Sequence, residues 1–177
     1  KQLEVIKGIV PNALRVAVIG SSIEPGNVQV LQELELAARA FKVQLQILDI
    51  VEPKNVDSAF RTVAKGRADA ILMLQSPILS ILPAQFIGHA TKSRLPAIYP
   101  RSDFVDAGGL MSYGVSRIDL GRRAVVYVDK ILKGAKPSDL PVEQPAKFDF
   151  VINMKTAKAL GIKIPNSIMV QATKVIA

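Results

Sequence analysis

Four times between Arg15 and Tyr99 the chain repeats one unit, a short apolar run followed by a small polar loop. The runs are Arg15–Ile19, Val43–Ile50, Asp69–Leu74 and Ala97–Tyr99, and each of the first three loops opens an amphipathic segment of helical length. A strand with one wet face alternates apolar and polar residues, whereas a strand covered on both faces reads as an unbroken apolar run. The repeat therefore predicts βαβ units and a parallel sheet buried between helices. Open sheets of this kind bind ligands in the crevice beyond the carboxyl ends of their strands. A binding region is thereby located before its ligand is known.

With 177 residues the chain is long enough for one good core, and its 49% hydrophobic content is aliphatic, since aromatics make up 5% and Trp is absent. No stretch approaches the roughly 20 apolar residues of a membrane span. Lys1-Gln2-Leu3-Glu4 begins in mid-helix fashion, with no basic segment leading a hydrophobic one, and reads as a mature or truncated product. The absence of cysteine removes disulfides, thiol catalysis and thiolate metal sites, and suits the periplasm as well as the cytosol. The net charge of +8 is scattered along the chain. Its densest cluster, Lys130 to Lys136, falls at a predicted helix C-terminus, where cations oppose the dipole, and no aromatics interleave with it for base stacking. A solvated basic surface is the reading, not a nucleic-acid interface.

Residues 1–14 read as a helix closed by Pro11-Asn12. A loop from Gly20 to Asn27 follows the first strand, and Asn27 is expected to cap a helix carrying Val28, Leu31, Leu34, Ala38 and Phe41 at helical spacing. Val56, Ala59, Phe60 and Val63 mark a second helix. Ile78 to Ala90 marks a third, which Pro83 confines to starting near that residue. Ser102 to Ala107 forms one helical turn, with Gly108 free to take a left-handed conformation. Thereafter the rhythm changes. Leu110 to Gly114 is extended, a longer helix runs from Ile118 to Gly134, a proline-bearing connector spans Lys136 to Ala146, and Phe148 to Ile152 alternates as a strand. Thr156 to Gly161 is a last short helix.

A doubly wound strand order of 2-1-3-4 would put the loops after strands one and three on either side of the switch point. Those loops carry Ser21, Ser22, Asn27, Gln75 and Ser76, and the loop after strand four adds Tyr99 and Arg101 on the same rim. Hydroxyls, amides, a phenol and a guanidinium suit a small polar or zwitterionic ligand. The helix opening at Asn27 offers backbone N–H groups and a positive dipole end to a carboxylate, and Arg101 can pair with an acid through both its nitrogens. Each residue has a plainer role, as a helix cap, a loop-satisfying hydroxyl or a surface charge. Shared placement at strand ends is what favours a site.

Enzymatic signatures are missing. Gly20 and Gly26 flank Ser-Ser without forming the close-approach glycines of a dinucleotide fold, no P-loop occurs, and no Gly-x-Ser-x-Gly elbow presents a serine. His89, the one histidine, reads as a helix-end cation beside Lys92 and Arg94, with no partner at metal-ligand spacing. Asp103 and Asp106 are a loop pair without further support for acid/base work.

The segment Gly108-Gly109-Leu110-Met111-Ser112-Tyr113-Gly114 is specific. With Arg122 to Gly134, Pro137 to Pro145, Phe148 to Asn153 and Thr156 to Gly161 it resembles the substrate-binding proteins of ABC transporters often labelled tryptophan/tyrosine transport. The likeness spans essentially the whole chain. It implies one lobe of a type I periplasmic binding protein, a class whose two α/β lobes close on a ligand by hinge motion and present it to a membrane permease. It also implies a chain lacking most of an N-terminal lobe, with Lys1 just after the first crossover between lobes. Residues 1–111 would then be the ligand-binding α/β lobe. Residues 112–147 would be a crossover segment and helix of the other lobe, and 148–177 a returning strand and terminal helix on the first lobe. Ser112 and Tyr113 would sit near the hinge and complete the expected ligand-binding set.

The expected fold is thus α/β, a doubly wound parallel sheet with a C-terminal crossover helix and returning strand. The expected function is that of the solute-binding component of an ABC importer, taking a zwitterionic or carboxylate ligand between lobes, without catalysis, metal or cofactor. An aromatic amino acid enters only through the family label. Expected partners are the small-molecule ligand and the transporter's permease, no nucleic acid, and a second copy through an exposed lobe surface. The expected location is periplasmic or extracellular, membrane-associated through the transporter. A ligand-sensing regulatory domain of the same fold is the alternative, and a serine hydrolase or transferase on an α/β sheet the more distant one.

Overall fold

A computed structural model describes residues 1–177. In chain order it comprises α1 (Gln2–Ile9), β1 (Arg15–Gly20), α2 (Pro25–Phe41), β2 (Gln44–Asp49), α3 (Val56–Lys65), β3 (Ala70–Met73), α4 (Pro77–Ser80), α5 (Pro83–Lys92), β4 (Ala97–Tyr99) and α6 (Ser102–Asp106). There follow β5 (Met111–Val115), α7 (Arg117–Leu132), β6 (Phe148–Asn153), α8 (Met154–Leu160), α9 (Asn166–Met169) and β7 (Lys174–Ile176).

All seven strands share one sheet in the order β2-β1-β3-β4-β5-β6-β7. The first five are parallel, with Val18 lying between Ile47 and Leu72. β6 returns antiparallel along β5, pairing Tyr113 with Phe150 and Val115 with Phe148, and β7 runs parallel to β6. The doubly wound order expected from the apolar runs is the one observed. β2 is the exception that explains the rule: as an edge strand it leaves Gln44, Ile47 and Asp49 exposed, whereas β1 and β3 are buried almost throughout.

Side-chain alternation splits the core into two layers. Val16, Val18, Leu72, Ile98 and Met111 face a layer closed by Leu3 and Ile6 of α1, Leu34 of α2, Ala157 of α8 and Ile168 of α9. Ala17, Ile19, Met73 and Tyr99 face the other, closed by Phe60 of α3, Leu79 of α4, Phe86 of α5 and Phe104 of α6. Asp69 fastens the sheet at its start: one carboxylate oxygen accepts the backbone N–H groups of Leu14 and Arg15 at 2.8 and 2.9 Å.

Local chemistry sets several boundaries. Pro83 occupies the first turn of α5, where its missing N–H costs nothing, and separates that helix from the single turn of α4. α2 begins at Pro25 behind Glu24, three residues earlier than expected. Asn27 is therefore inside the helix and is not its cap. Asn153 does cap α8, its Oδ1 accepting the Thr156 N–H at 3.1 Å, so this helix starts at Met154. β7 has no counterpart in the sequence reading; its three residues pair with β6, and Lys174 Nζ donates to Asp106 Oδ1 at 3.0 Å.

Candidate functional site

The carboxyl ends of β3, β4 and β5 open onto a groove of about 760 Å³ bounded by α2 and the start of α1 on one side and the start of α7 on the other. Four of the residues expected from sequence line it: Asn27, Gln75, Arg101 and Tyr113. Each arrives by a different element. Asn27 projects from the first turn of α2, Gln75 ends the segment after β3, Arg101 precedes α6, and Tyr113 lies within β5.

Asn27 is buried and donates from Nδ2 to the Ser21 carbonyl oxygen at 3.0 Å, drawing the loop after β1 against the helix. Arg101 is paired within the chain: its Nε donates to Asp103 Oδ1 at 2.9 Å, and a terminal nitrogen meets the other carboxylate oxygen. The guanidinium is thus held at the groove wall with its bidentate edge occupied by Asp103. Gln75 is exposed.

The other five expected residues stand elsewhere. Ser21, Ser76 and Ser112 are buried at the strand ends, and the hydroxyl of each finds no partner in the protein. Ser22 is exposed and its backbone N–H donates to Asp49 Oδ1 at 2.8 Å, which ties the loop to the end of β2. Tyr99 corrects the expectation. Its ring packs in the opposite core layer, stacked on Phe104 at 4.9 Å between centroids, and burial raises its phenol above the usual range. Strand parity decides this: Ile98 faces the groove-side layer, so Tyr99, one residue on, faces away.

Sequence reasoning missed the aromatic wall of the groove. Phe148, at the start of β6, lines it beside Tyr113, with ring centroids 5.6 Å apart and planes 9° from parallel. Its signal was the alternating run from Phe148 to Ile152, which was legible as a strand but not as a groove wall. The approach of β5 to the β4 loop was also illegible. A side-chain carbon at Gly114 would fall on the Pro100 carbonyl oxygen, so glycine lets the two backbones touch at the groove floor.

No cluster of three or more His, Cys, Asp or Glu side chains is arranged to hold a metal ion. His89 contacts Asp57 at 2.8 Å and stacks on Phe60, far in role from a nucleophile's partner. The groove's chemistry is recognition by amide, guanidinium and aromatic groups.

Residues 1–176 match the family described as ABC transporter substrate binding protein. The chain belongs to that family. Members of the ABC substrate-binding family are solute-binding proteins rather than enzymes; they bind a small molecule and work with an ABC transporter. A tyrosine-binding protein of Clostridioides difficile is 24% identical over 164 residues, covering 92% of this chain and 47% of that protein. Two crystal structures superpose with a TM-score of 0.89 at 28% identity, each covering 98% of this chain. One is a conserved domain protein from Vibrio cholerae, and the other an ABC domain from Streptococcus pneumonia in complex with L-Trp. The chain spans about half the length of the tyrosine-binding protein, and 58% and 59% of the two solved chains.

Proposed function

We propose that this chain is the lobe of a solute-binding protein that receives a small zwitterionic or carboxylate ligand, an aromatic amino acid among the candidates, for an ABC importer. The observation that carries the reading is the convergence of Asn27, Gln75, Arg101 and Tyr113 on one groove at the sheet's switch point. Family membership supports the transporter role, and the relatives named for tyrosine and L-Trp support the ligand class.

In this reading the α-carboxylate lies near Arg101 and the positive end of α2, while Gln75 and Asn27 contribute amide contacts. Ser112 and Tyr113 sit where the chain leaves the lobe. Of residues 112–147, Ser112 to Val115 stay in the sheet as β5 and those that follow belong with a second lobe, a reading supported by α7 having no buried residue. Ligand held between lobes stabilises the closed form differentially, and the permease reads that form on the periplasmic or extracellular side. No helix of this chain is long and apolar enough to cross a membrane.

A thermal-shift panel of amino acids and small aromatic acids tests the proposal, run on this chain and on a two-lobed form. Ligand at about 100 times its dissociation constant adds about 2.7 kcal/mol of stability, which shows plainly as a midpoint shift. An upward shift with an amino acid supports the assignment. Silence across the panel in the two-lobed form removes it.

A further inference from the structure

We infer that Phe148, backed by Tyr113, is the specificity-determining surface that selects a planar ligand side chain over an aliphatic one. The inference rests on the solute-binding reading above and adds to it the residues that choose the ligand.

The distribution of aromatic residues is the starting point. The chain has nine, and its two core layers absorb Phe60, Phe86, Tyr99, Phe104 and Phe150. Three of the remaining four, Phe41, Tyr113 and Phe148, line the same groove. Large rings left on an open wall are costly to hydrate, and a chain with so few aromatics would place them by chance in one groove only rarely.

Geometry singles out Phe148. Tyr113 pairs with Phe150 across the β5–β6 ladder and Phe148 pairs with Val115, so all four side chains share one face of the sheet. Tyr113 is packed edge-on by Phe150 at 6.1 Å and lies nearly parallel to Phe148 at 5.6 Å. The Phe148 ring is thus held in plane by a neighbour that is itself fixed, yet the residue remains 44% exposed on the groove. A rigid ring with an open face stacks on another flat ring and gains little from a branched aliphatic chain beyond contact area. Arg101 lines the same groove, so a ligand whose acid end meets the guanidinium, as in the proposed reading, would extend its side chain along the groove that Phe148 lines.

The test is the ratio of affinities for L-Trp or L-Tyr over L-Leu, measured by calorimetry on the two-lobed protein. Phe148→Leu is the principal variant because it keeps the site apolar, and its ligand-free melting point is compared with wild type. Tyr113→Leu is the second variant and removes the backing ring. The expected result is a fall of about threefold to tenfold in the aromatic-to-leucine ratio in Phe148→Leu, with leucine affinity little changed, and a smaller fall in Tyr113→Leu. An unchanged ratio, or equal loss for both ligands, overturns the inference while leaving amino-acid binding intact. Wild type that binds no amino acid overturns the underlying reading as well.

Discussion

At the scale of single residues, backbone approach and strand parity do more to define the site than side-chain chemistry does. Gly114 is required because its neighbour is a backbone oxygen, the Pro100 carbonyl, which cannot rotate away. Replacing it with alanine forces β5 off the β4 loop, and overpacking of this kind typically costs about 1–3 kcal/mol. Urea unfolding of Gly114→Ala should show a lower midpoint at unchanged slope; equal midpoints would mean that the strand shifts freely. Tyr99 provides the opposite case. Its phenol sits in the far core layer, so Tyr99→Phe should leave ligand affinity within about twofold, whereas Tyr99→Ala empties the slot against Phe104 and should cost about 3–5 kcal/mol. A large loss of ligand affinity in Tyr99→Phe, read by calorimetry, would return the phenol to the binding set.

At the scale of elements, the pattern of apolar runs made the fold readable while the site was only partly so. β1 and β3 announce themselves because burial on both faces demands unbroken aliphatic sequence, and the helices because Leu34, Ala38, Val56, Phe60 and Val63 recur at helical spacing. What no local pattern encodes is which face a strand-end residue takes once its neighbours are placed. Tyr99 ends β4 and Arg101 follows two residues on, yet one is core and the other lines the groove. Phe148 was equally hidden, since its partner Tyr113 lies 35 positions earlier and the two meet only through the antiparallel return of β6. His89 read as a helix-end residue and does stand in the last turn of α5, where its contact to Asp57 joins α5 to α3. Hydrogen bonds from His89 first, and from Gln85, hold the Asp57 carboxyl below its ordinary value. The folded state therefore binds that proton less readily than the unfolded chain does. The contribution is fully present above about pH 4, near the unfolded value, and is lost as pH falls through the lower folded value. The stability difference between wild type and Asp57→Asn, followed by urea midpoints, should accordingly be larger at pH 5 than at pH 2.5. A difference independent of pH would show that the carboxylate's charge does not matter to the α3–α5 contact.

At the scale of the whole molecule, α7 is the element that this chain does not explain by itself. One side of the helix, with Leu120, Ala124, Tyr127 and Ile131, faces the connector carrying Pro137 to Pro145, and the Tyr127 hydroxyl donates to the Pro141 carbonyl at 2.7 Å. Arg123 fastens the same side by pairing with Asp119 and Glu143 at 3.0 and 2.8 Å. The opposite side presents Ile118, Val125, Val128 and Leu132, one stripe at helical spacing, with Leu132 82% exposed. An uncovered stripe of this kind drives association when nothing else packs on it. The net charge of +8 opposes that association between like molecules, and salt screens the repulsion without weakening apolar contact. The 177-residue chain should therefore self-associate more strongly at about 0.5 M salt than at about 0.02 M, seen as a rising weight-average mass in sedimentation equilibrium. Val125→Glu and Leu132→Glu together should abolish the rise and leave the melting point nearly unchanged, because neither side chain is part of either core layer. A strictly monomeric mass at every salt concentration would mean that the stripe is too narrow to hold a partner, and that a second lobe, where present, must be held by the crossovers instead.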